Sequence, residues 1–446
     1  MTRFTLTCTL FLIITLPISA QQILGVYVAN QGNFSANDGS ITWYDPSTGQ
    51  AEQVLSDFGT LAQSITLHGQ MGYIASNTSH VVDILDLSTR QRVGQIPQVE
   101  SPRYIAVVDR TKAYVSQLWS AQISVLDLQA QTVLGTIAAG TNPEDIAVVG
   151  NRAFVANSGF GSDSTLTIID TYDDMAVGTV DLGCDGPRHL EVDTEDELWA
   201  FCNGNTVYNA DFTEVIERTN GAAIVLNPST GDIIKRIEFN HQAGAGSLGQ
   251  DTHYSPESGE IFLIRSDSSR VLVFDTATNT YKESLTFPGT ESIGGLAYDA
   301  DARRFYVGRI VSFTAPGFVQ ILNRDNLMET SRFRAGVAPA HLVLHRPPSI
   351  VASEAVRLPA QASLLPAYPN PFTEAATLTF TLESAQSVSL LIYDVLGREV
   401  ARPVAGSRPA GEHRVVWKAD RLPLGVYYAR LRAGGQVATV SLVLSR

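Results

Sequence analysis

Hydrophobic and polar positions between residues 23 and 345 form short runs that follow one repeating order. The runs are rich in β-branched and aromatic residues, Gly, Asn, Asp and Pro separate them, and no stretch has a convincing helical period. From Tyr104 the order is YIAVVD, KAYVSQ, ISVLD and TVLGTI, and from Asp145 it is DIAVVG, RAFVAN, LTIID and AVGTVDL. The pattern predicts units of four antiparallel strands, named a, b, c and d from the inside of the fold outward.

The c strand of each unit ends in Asp or Asn just before a turn. These anchors are Asp45, Asp86, Asp127, Asp170, Asn227, Asp275 and Asn323. Successive anchors are 41, 41, 43, 57, 48 and 48 residues apart, a period in the range of one four-stranded propeller blade. The sequence therefore predicts an all-β chain that contains a seven-bladed β-propeller.

The two ends of the repeat region complement each other. Ile23–Asn30 matches the b strands, so the first blade has no a strand of its own, whereas Ala338–His345 matches an a strand and follows the seventh d strand. Pairing of these segments would close the ring and remove open sheet edges. We expect the propeller to occupy residues 21–345, with 338–345 completing the first blade.

The chain after His345 changes in character. Residues 346–366 are rich in Pro, Ala and Ser and are interpreted as a linker. Residues 367–446 contain alternating runs spaced like a small antiparallel sandwich of about 80 residues. We expect a second, Ig-like β-sandwich domain there.

The first twenty residues have the features of a secretion signal. Arg3 supplies a basic start, Phe4–Leu16 an apolar core and Pro17–Ala20 a small-residue cleavage end. The mature chain would begin near Gln21, and no later run of about 18 apolar residues suggests a membrane span. The net charge of −14 disfavours nucleic acid and anionic membranes as partners.

Cys184 and Cys202 are the two cysteines of the mature chain. An even number in an oxidising compartment favours one disulfide. Cys184 precedes an a strand and Cys202 ends the following b strand, so antiparallel pairing would bring both to one face. Two free, half-buried thiols are the alternative.

Strand motifs connect the repeats with a known family. YVAN, YIAS, YVSQ and FVAN are each followed by an IxVxD-type strand, and Gly140–Pro143 and Gly336–Pro339 keep a Gly-x-x-Pro turn. Ser101–Pro102 and Gly186–Pro187 keep only its Pro. Over Ile23–His345 the chain resembles the YVTN-type β-propeller repeats of bacterial surface and periplasmic proteins. WD-repeat signatures are missing.

The C-terminal region resembles the type A sorting domain of the type IX secretion system of Bacteroidetes-like bacteria. The motifs that carry the likeness are YPNPF (Tyr368–Phe372), IYDVLGREV (Ile392–Val400), GEHRVVW (Gly411–Trp417) and LPLGVYYARL (Leu422–Leu431). The resemblance implies passage through the periplasm, recognition of residues 367–446 by the secretion machinery, and an extracellular or outer-membrane location. A generic adhesion module is the alternative interpretation.

Loop lengths distinguish the two faces of the predicted propeller. The a-to-b and c-to-d turns are short, whereas the b-to-c and d-to-a connections lie on the other face and include every long loop. These loops are Gln31–Gly39, Asn157–Ser164, Asn203–Ala222, His241–Gln250 and Arg309–Gly317. Long loops on a rigid scaffold commonly carry function, so this loop-rich face is the predicted site of binding.

Aromatic and charged residues on this face are the ligand-binding candidates. The aromatic set is Phe34, Trp119, Phe160, Tyr208, Phe212 and Phe313, which could stack on sugar rings or on a large planar ligand or simply pack on their own loops. The polar set is Arg103, Tyr104, Glu144, Arg188, Arg265 and Arg309, suited to a polar ligand or to ordinary solvation.

Alignment of the a strands places a second group at the channel mouth. Its members are Ser64, Tyr104, Asp145, His189, Asp251, Gly295 and His341. His189, His341, Asp145 and Asp251 could act as acid and base, although we expect these side chains to be solvated and too far apart to share a metal. No G-x-S-x-G, H-E-x-x-H, C-x-x-C or C-x-x-C-H motif is present.

Three functions remain open from sequence. The first is non-catalytic binding of a glycan, a peptide or a large cofactor such as a corrinoid on the loop-rich face of an exported propeller. The second is a lactonase- or dehydrogenase-like enzyme that uses the channel mouth. The third is a structural surface-layer component. We predict no bound metal or resident cofactor.

Overall fold

The computed structural model divides into two compact units, Met1–Pro347 and Pro348–Arg446. It describes residues 22–56, 59–211, 213–243, 252–265, 269–347, 362–364, 367, 369–382, 386–394, 398–419, 422–433 and 436–445. The predicted signal peptide and most of the predicted linker lie outside these ranges. No helix among the described residues is long and apolar enough to cross a membrane.

Seven four-stranded antiparallel sheets form the framework of the described part of the first unit. The first sheet contains β1 (Gly25–Asn30), β2 (Ser40–Asp45), β3 (Gln50–Leu55) and β30 (Pro339–His345). The second contains β4 (Ala62–His68), β5 (Met71–Ser76), β6 (Val81–Asp86) and β7 (Gln91–Pro97). The third contains β8 (Pro102–Val107), β9 (Lys112–Gln117), β10 (Gln122–Asp127) and β11 (Thr132–Ala138). The fourth contains β12 (Pro143–Val149), β13 (Arg152–Asn157), β14 (Thr165–Asp170) and β15 (Met175–Asp181).

The remaining three sheets follow the same plan. The fifth contains β16 (Pro187–Val192), β17 (Leu198–Cys202), β20 (Ala222–Leu226) and β21 (Ile233–Glu238). Between its second and third strands it carries a hairpin of β18 (Thr206–Tyr208) and β19 (Val215–Arg218). The sixth contains β22 (Thr252–Ser255), β23 (Glu260–Ile264), β24 (Arg270–Asp275) and β25 (Thr280–Thr286). The seventh contains β26 (Ser292–Asp299), β27 (Arg304–Ile310), β28 (Pro316–Asn323) and β29 (Glu329–Val337).

The sheets are arranged in a ring. The innermost strands contact one another in the order β30, β4, β8, β12, β16, β22, β26 and again β30. β30 pairs with β1 through partners such as Val26–Leu344 and Val28–Leu342, so the last strand of the unit completes its first sheet. This cyclic arrangement of four-stranded sheets is a β-propeller.

The Asp and Asn anchors have a local structural role. Asp86 Oδ1 accepts hydrogen bonds from the backbone N–H groups of Ser88 and Thr89, at 2.9 and 2.8 Å. Asp127 does the same for Gln129 and Ala130. Each anchor thus closes an Asx turn between a c and a d strand, which explains why Asp or Asn recurs there.

The inner strands share an irregularity near the loop-rich face. Pairing with the neighbouring strand shifts between Ala62 and Ile65, and the same shift occurs after Pro102 and after Pro143. β16, β26 and β30 also shift register at the corresponding point. A β-bulge of this kind redirects side chains, and here it turns two consecutive residues of each inner strand out of regular pairing in the second, third and fourth sheets.

The described part of the second unit consists of two sheets around one apolar cluster. β31 (Ala362–Leu364), β32 (Ala375–Leu382) and β35 (Gly411–Lys418) form the first sheet. β33 (Gln386–Asp394), β34 (Glu399–Arg408), β36 (Gly425–Ala433) and β37 (Gln436–Leu444) form the second. The shared cluster includes Phe372, Phe380, Leu390, Trp417 and Tyr427.

The Asn-Pro-Phe part of the YPNPF motif joins the start of this unit to its last strand. Asn370 Nδ2 donates to Ser441 O at 2.9 Å, and Val443 N donates to Asn370 Oδ1 at 2.7 Å. The Phe372 ring is buried against Trp417, with ring centroids 5.5 Å apart. The motif therefore has a packing role within the unit.

Candidate functional site

The first bulge positions bring four polar side chains together beneath the loop-rich face. Gln63, Arg103, Glu144 and Arg188 occupy this position in the second to fifth sheets, and all four are buried. Gln63 was not among the candidates from sequence. Gln63 directly precedes Ser64, so the alignment of the a strands places it level with the other three, but its uncharged side chain gives no signal for an ion-pair network.

These four residues bind one another across sheet boundaries. Arg103 Nε lies 2.6 Å from Glu144 Oε2, and Arg103 also donates to Gln63 Oε1. Arg188 Nε lies 3.7 Å from the other carboxylate oxygen of Glu144. We call this set the charged belt. The sequence treated Arg103, Glu144 and Arg188 as separate ligand contacts, whereas the structure shows that Arg103 is directed at Gln63 and Glu144.

The channel mouth is formed by Tyr104 and Asp145 at second bulge positions and by His189 and His341 at the equivalent positions of β16 and β30. The Tyr104 ring contacts the His189 ring at a centroid distance of 5.5 Å and the His341 ring at 6.4 Å. His189 Nδ1 lies 3.7 Å from Asp145 Oδ2, which also accepts a hydrogen bond from Leu190 N. The expectation that the two histidines are solvated is wrong for His189, which is buried. Asp251 lies outside the described residues.

Burial decides the protonation of several groups along the inner strands. It lowers the pKa of His341 to about 4, and the nearby Asp145 carboxylate only partly opposes this shift. His253 is lowered to a pKa of about 4 by the same cause. Burial raises the pKa of Glu191 to about 7, with a further contribution from Asp145. No cluster of three or more His, Cys, Asp or Glu side chains within the described ranges is arranged to hold a metal ion.

A pocket of about 340 Å³ lies between the fourth and fifth sheets on the loop-rich face. Loops after β13, β17 and β21 and the bulges of β12 and β16 supply its walls. The polar and aromatic lining includes Glu144, Ser158, Phe160, Arg188, Asn203 and Gln242. We call it the 4–5 pocket. Its volume is in the lower part of the range of about 300–1,000 Å³ typical of small-molecule sites.

Close approach of three glycines shapes the 4–5 pocket. A Cβ on Gly186 would lie 3.1 Å from Gly161 Cα and 3.3 Å from Gly204 O. A Cβ on Gly161 would lie 2.6 Å from Asn205 Oδ1. All three glycines have positive φ angles, so a side chain would both strain the backbone and crowd the loops.

The polar groups of the 4–5 pocket differ in whether they have hydrogen-bond partners. Gln242 Nε2 donates to Asn205 O and Thr206 Oγ1, at 2.7 and 2.8 Å. Asn203 Oδ1 is buried and has no hydrogen-bond partner within the described part of the chain. A buried acceptor without a donor is unfavourable, and a ligand hydroxyl or amide could supply the missing donor. Asn203 was not singled out from the sequence, which carries no signal for an unsatisfied atom.

A disulfide anchors the wall of the 4–5 pocket. Cys184 and Cys202 are bonded, with Cα atoms 6.0 Å apart. Cys202 directly precedes Asn203, and Cys184 lies two residues before Gly186. The bond therefore ties together the two chain segments that carry the pocket residues.

The aromatic candidates fall into separate places. Phe160 lines the 4–5 pocket, and the Trp119 ring lies beside it with centroids 5.2 Å apart. Tyr208 projects from the β18–β19 hairpin and is exposed. Phe34 and Phe313 lie on loops that are joined by a hydrogen bond from Asn33 Nδ2 to Phe313 O. Phe212 lies outside the described residues.

Two arginine candidates do not contribute to the 4–5 pocket. Arg309 is fully buried and donates to Gln320 Oε1, Glu291 O and Pro288 O. Its side chain connects β28 to the segment between β25 and β26, so its proposed role as a ligand contact is wrong. Arg265 lines a separate groove of about 620 Å³ together with Arg270 and Tyr281.

Two known protein families match this chain, one in each unit. Residues 24–219 match a family described as a domain of unknown function, DUF5074. Residues 366–445 match the secretion system C-terminal sorting domain. No curated protein matches the sequence.

Solved structures show similarity at the level of fold. A quinonprotein alcohol dehydrogenase-like protein of Bacteroides thetaiotaomicron has a TM-score of 0.54 and 11% identity, over 72% of this chain and 78% of its own. Hydrazine synthase of Kuenenia stuttgartiensis has a TM-score of 0.51 and 20% identity, over 63% of this chain and 88% of its own. At these identities the likeness shows the fold alone.

The class of protein follows from both units. The first unit is a β-propeller, and the second carries the sorting domain of the type IX secretion system. Proteins with this domain are exported to the cell surface or the extracellular space, and that is the location of this chain.

Proposed function

We propose that the protein is an exported seven-bladed, YVTN-type propeller that binds a small polar ligand in the 4–5 pocket without transforming it. The observation that carries the proposal is the buried Asn203 Oδ1, which has no hydrogen-bond partner among the described residues, in a pocket that also contains the Glu144 carboxylate and the Arg188 guanidinium. Convergence of a few placed polar groups in a concave site is typical of ligand recognition.

The ion pairs of Glu144 in the pocket support ligand binding rather than catalysis. Glu144 is shared by two arginines, Arg103 and Arg188, so both oxygens of its carboxylate already face a guanidinium group. A general base has to be free to take a proton from the substrate. The pocket can therefore orient a ligand through charge-assisted hydrogen bonds.

The first experiment identifies a ligand and localises it. The mature chain is screened on arrays of glycans, peptides and metabolites, and the affinity of each hit is measured by calorimetry. Asn203→Leu removes the unpartnered acceptor at similar volume and should weaken binding about tenfold. Asn151→Leu is the matched control, because Asn151 is exposed on an a-to-b turn of the opposite face.

The channel-mouth alternative gives a different result. His341→Gln alters the ring against which Tyr104 packs and should leave affinity unchanged if the 4–5 pocket is the site. If His341→Gln lost binding or turnover while Asn203→Leu behaved like the native protein, the channel mouth would be the functional site. Concentration-dependent assembly with no ligand would favour the surface-layer alternative.

A further inference from the structure

Two aromatic rings form an exposed surface at the edge of the 4–5 pocket. Trp119 is 66% exposed and Phe160 is 51% exposed, and their ring centroids are 5.2 Å apart. They come from different sheets, because Trp119 follows β9 and Phe160 follows β13. We call the pair the aromatic platform. Neither ring is withdrawn from solvent by its own loop, which was the alternative left open by the sequence.

The platform is held in place before any ligand arrives. Asn142 connects the two loops, since its Nδ2 donates to Leu118 O at 2.8 Å and its carbonyl accepts from Ser158 Oγ at 3.0 Å. Ser158 Oγ in turn accepts from Phe160 N at 3.3 Å. A preorganised surface loses little conformational entropy when a ligand stacks on it.

The backbone at Phe160 supports a functional origin for its exposure. Phe160 has φ 51° and ψ 32°, in the left-handed region. A bulky residue rarely adopts this conformation, and strain of this kind is concentrated at functional sites. The protein holds the residue there with its large apolar ring directed at solvent.

The geometry of the pair selects among ligand shapes. The ring planes are inclined by 47°, so one large flat ligand could stack on one ring but not on both. A chain of puckered rings, each with an apolar C–H face, can contact both planes. If such a chain of rings continued into the 4–5 pocket, its hydroxyl groups would lie near Asn203 Oδ1, Glu144 and Arg188.

The chemistry of the pocket agrees with this shape. A hydroxyl can donate to the unpartnered Asn203 Oδ1 or to Glu144 and can accept from Arg188, and a saccharide presents several hydroxyls on one ring. We propose that the ligand of the 4–5 pocket is an oligosaccharide, with one ring in the pocket and the adjoining rings on the aromatic platform. This inference rests on the proposed function and specifies its ligand class.

The tryptophan positions allow a direct test. The chain has four tryptophans, and Trp43, Trp199 and Trp417 are at most 7% exposed. Iodide quenching of fluorescence therefore reports mainly on Trp119. The mature chain is titrated with cello-, malto-, chito- and galacturono-oligosaccharides, with protoporphyrin as a planar probe and with peptide hits from the array.

The expected result is protection of Trp119 from iodide by at least one oligosaccharide. Phe160→Ala should weaken that binding about tenfold, and Trp119→Phe should retain binding by calorimetry while the quenching signal disappears. Tyr172→Ala is the control, because Tyr172 is 86% exposed on a c-to-d turn of the opposite face. It should leave affinity unchanged, and the exposed positions keep all three variants folded.

The contradicting outcomes separate the two proposals. If only protoporphyrin or a peptide protects Trp119, or if no oligosaccharide binds, the saccharide assignment is wrong. If an oligosaccharide binds with an affinity that is lowered by Asn203→Leu but not by Phe160→Ala, the 4–5 pocket stands and the platform role fails. If neither substitution changes the affinity, both proposals fail.

Discussion

At the residue scale, the charged belt is the least expected feature of the propeller. Arg103 and Glu144 have side chains that are almost fully buried, and they are 2.6 Å apart. Ions taken out of water need a partner, and the belt supplies partners from adjacent sheets. Its residues therefore link the second to the fifth sheet, and Glu144 and Arg188 also line the 4–5 pocket.

Removal of one charge from the belt should be strongly destabilising. Glu144→Gln keeps the shape but leaves two buried guanidinium groups without their carboxylate, which should lower the free energy of unfolding by about 3 kcal/mol. Glu52→Gln is the control, since the Glu52–Arg90 pair is exposed and should contribute less than about 1 kcal/mol. Chemical denaturation measures both, and equal losses would contradict a structural role for the belt.

Glu191 should make stability depend on pH. Its pKa is raised from 4.5 to about 7 by burial, so between these values the folded state keeps a proton that the unfolded state has lost. Stability contributed by this group is thus present below pH 4.5 and is lost as the pH rises through 7.

A substitution separates the pH dependence of stability that comes from Glu191 from the part that comes from the histidines. Glu191→Gln removes the titration, so at pH 8 it should be more stable than the native protein by roughly 1–3 kcal/mol, with a smaller difference at pH 5. Glu195→Gln, at an exposed turn after the same strand, should give the same difference at both pH values. A gain at pH 5 that exceeds the gain at pH 8 would show that the sign is wrong.

At the scale of strands and loops, local and non-local features differ in how far the sequence predicts them. The Asp86 and Asp127 turns were predictable, because each anchor bonds to residues two or three positions away. The belt joins Arg103 to Glu144 across 41 positions, and the alignment of the a strands makes these positions equivalent without showing that the two side chains meet. Trp119 and Phe160 were both candidates, but their pairing depends on Asn142, which connects two loops in a way that no local pattern encodes.

The disulfide belongs to this scale, since it fixes the base of the inserted β18–β19 hairpin. Cys184 and Cys202 are separated by 18 positions, for which chain entropy predicts a stabilisation of about 3 kcal/mol. The double variant Cys184→Ser, Cys202→Ser should lower the free energy of unfolding by that amount and weaken ligand binding. Reduction of the native protein should lower the free energy of unfolding and the affinity in the same way. An unchanged affinity in both the double variant and the reduced protein would contradict a role for the disulfide in shaping the pocket.

At the scale of the whole molecule, the propeller and the C-terminal sorting domain lie in separate units. The closing strand β30 ends at His345, and Arg346 forms ion pairs with Glu257 and Asp301 within the first unit. All the contacts that complete the ring therefore lie before Pro348, where the second unit begins.

Truncation should separate folding from export. Deletion of residues 348–446 should leave the melting temperature of the propeller nearly unchanged but prevent its appearance at the cell surface, as measured by thermal denaturation and surface labelling. Deletion of 339–446 also removes β30 and should abolish cooperative unfolding, because the first sheet then loses its inner strand. Normal surface display of the shorter truncation would contradict the role of the sorting domain.

The central claim is that the 4–5 pocket is the ligand site of this propeller. A crystal structure of the mature chain with the tightest-binding array hit tests it most directly. Density for the ligand is expected between Glu144, Arg188 and Asn203, with a donor group within hydrogen-bond distance of Asn203 Oδ1. Density at Tyr104, His189 and His341 in the channel mouth, or in the groove beside Arg265 and Tyr281, with the 4–5 pocket empty, would contradict it.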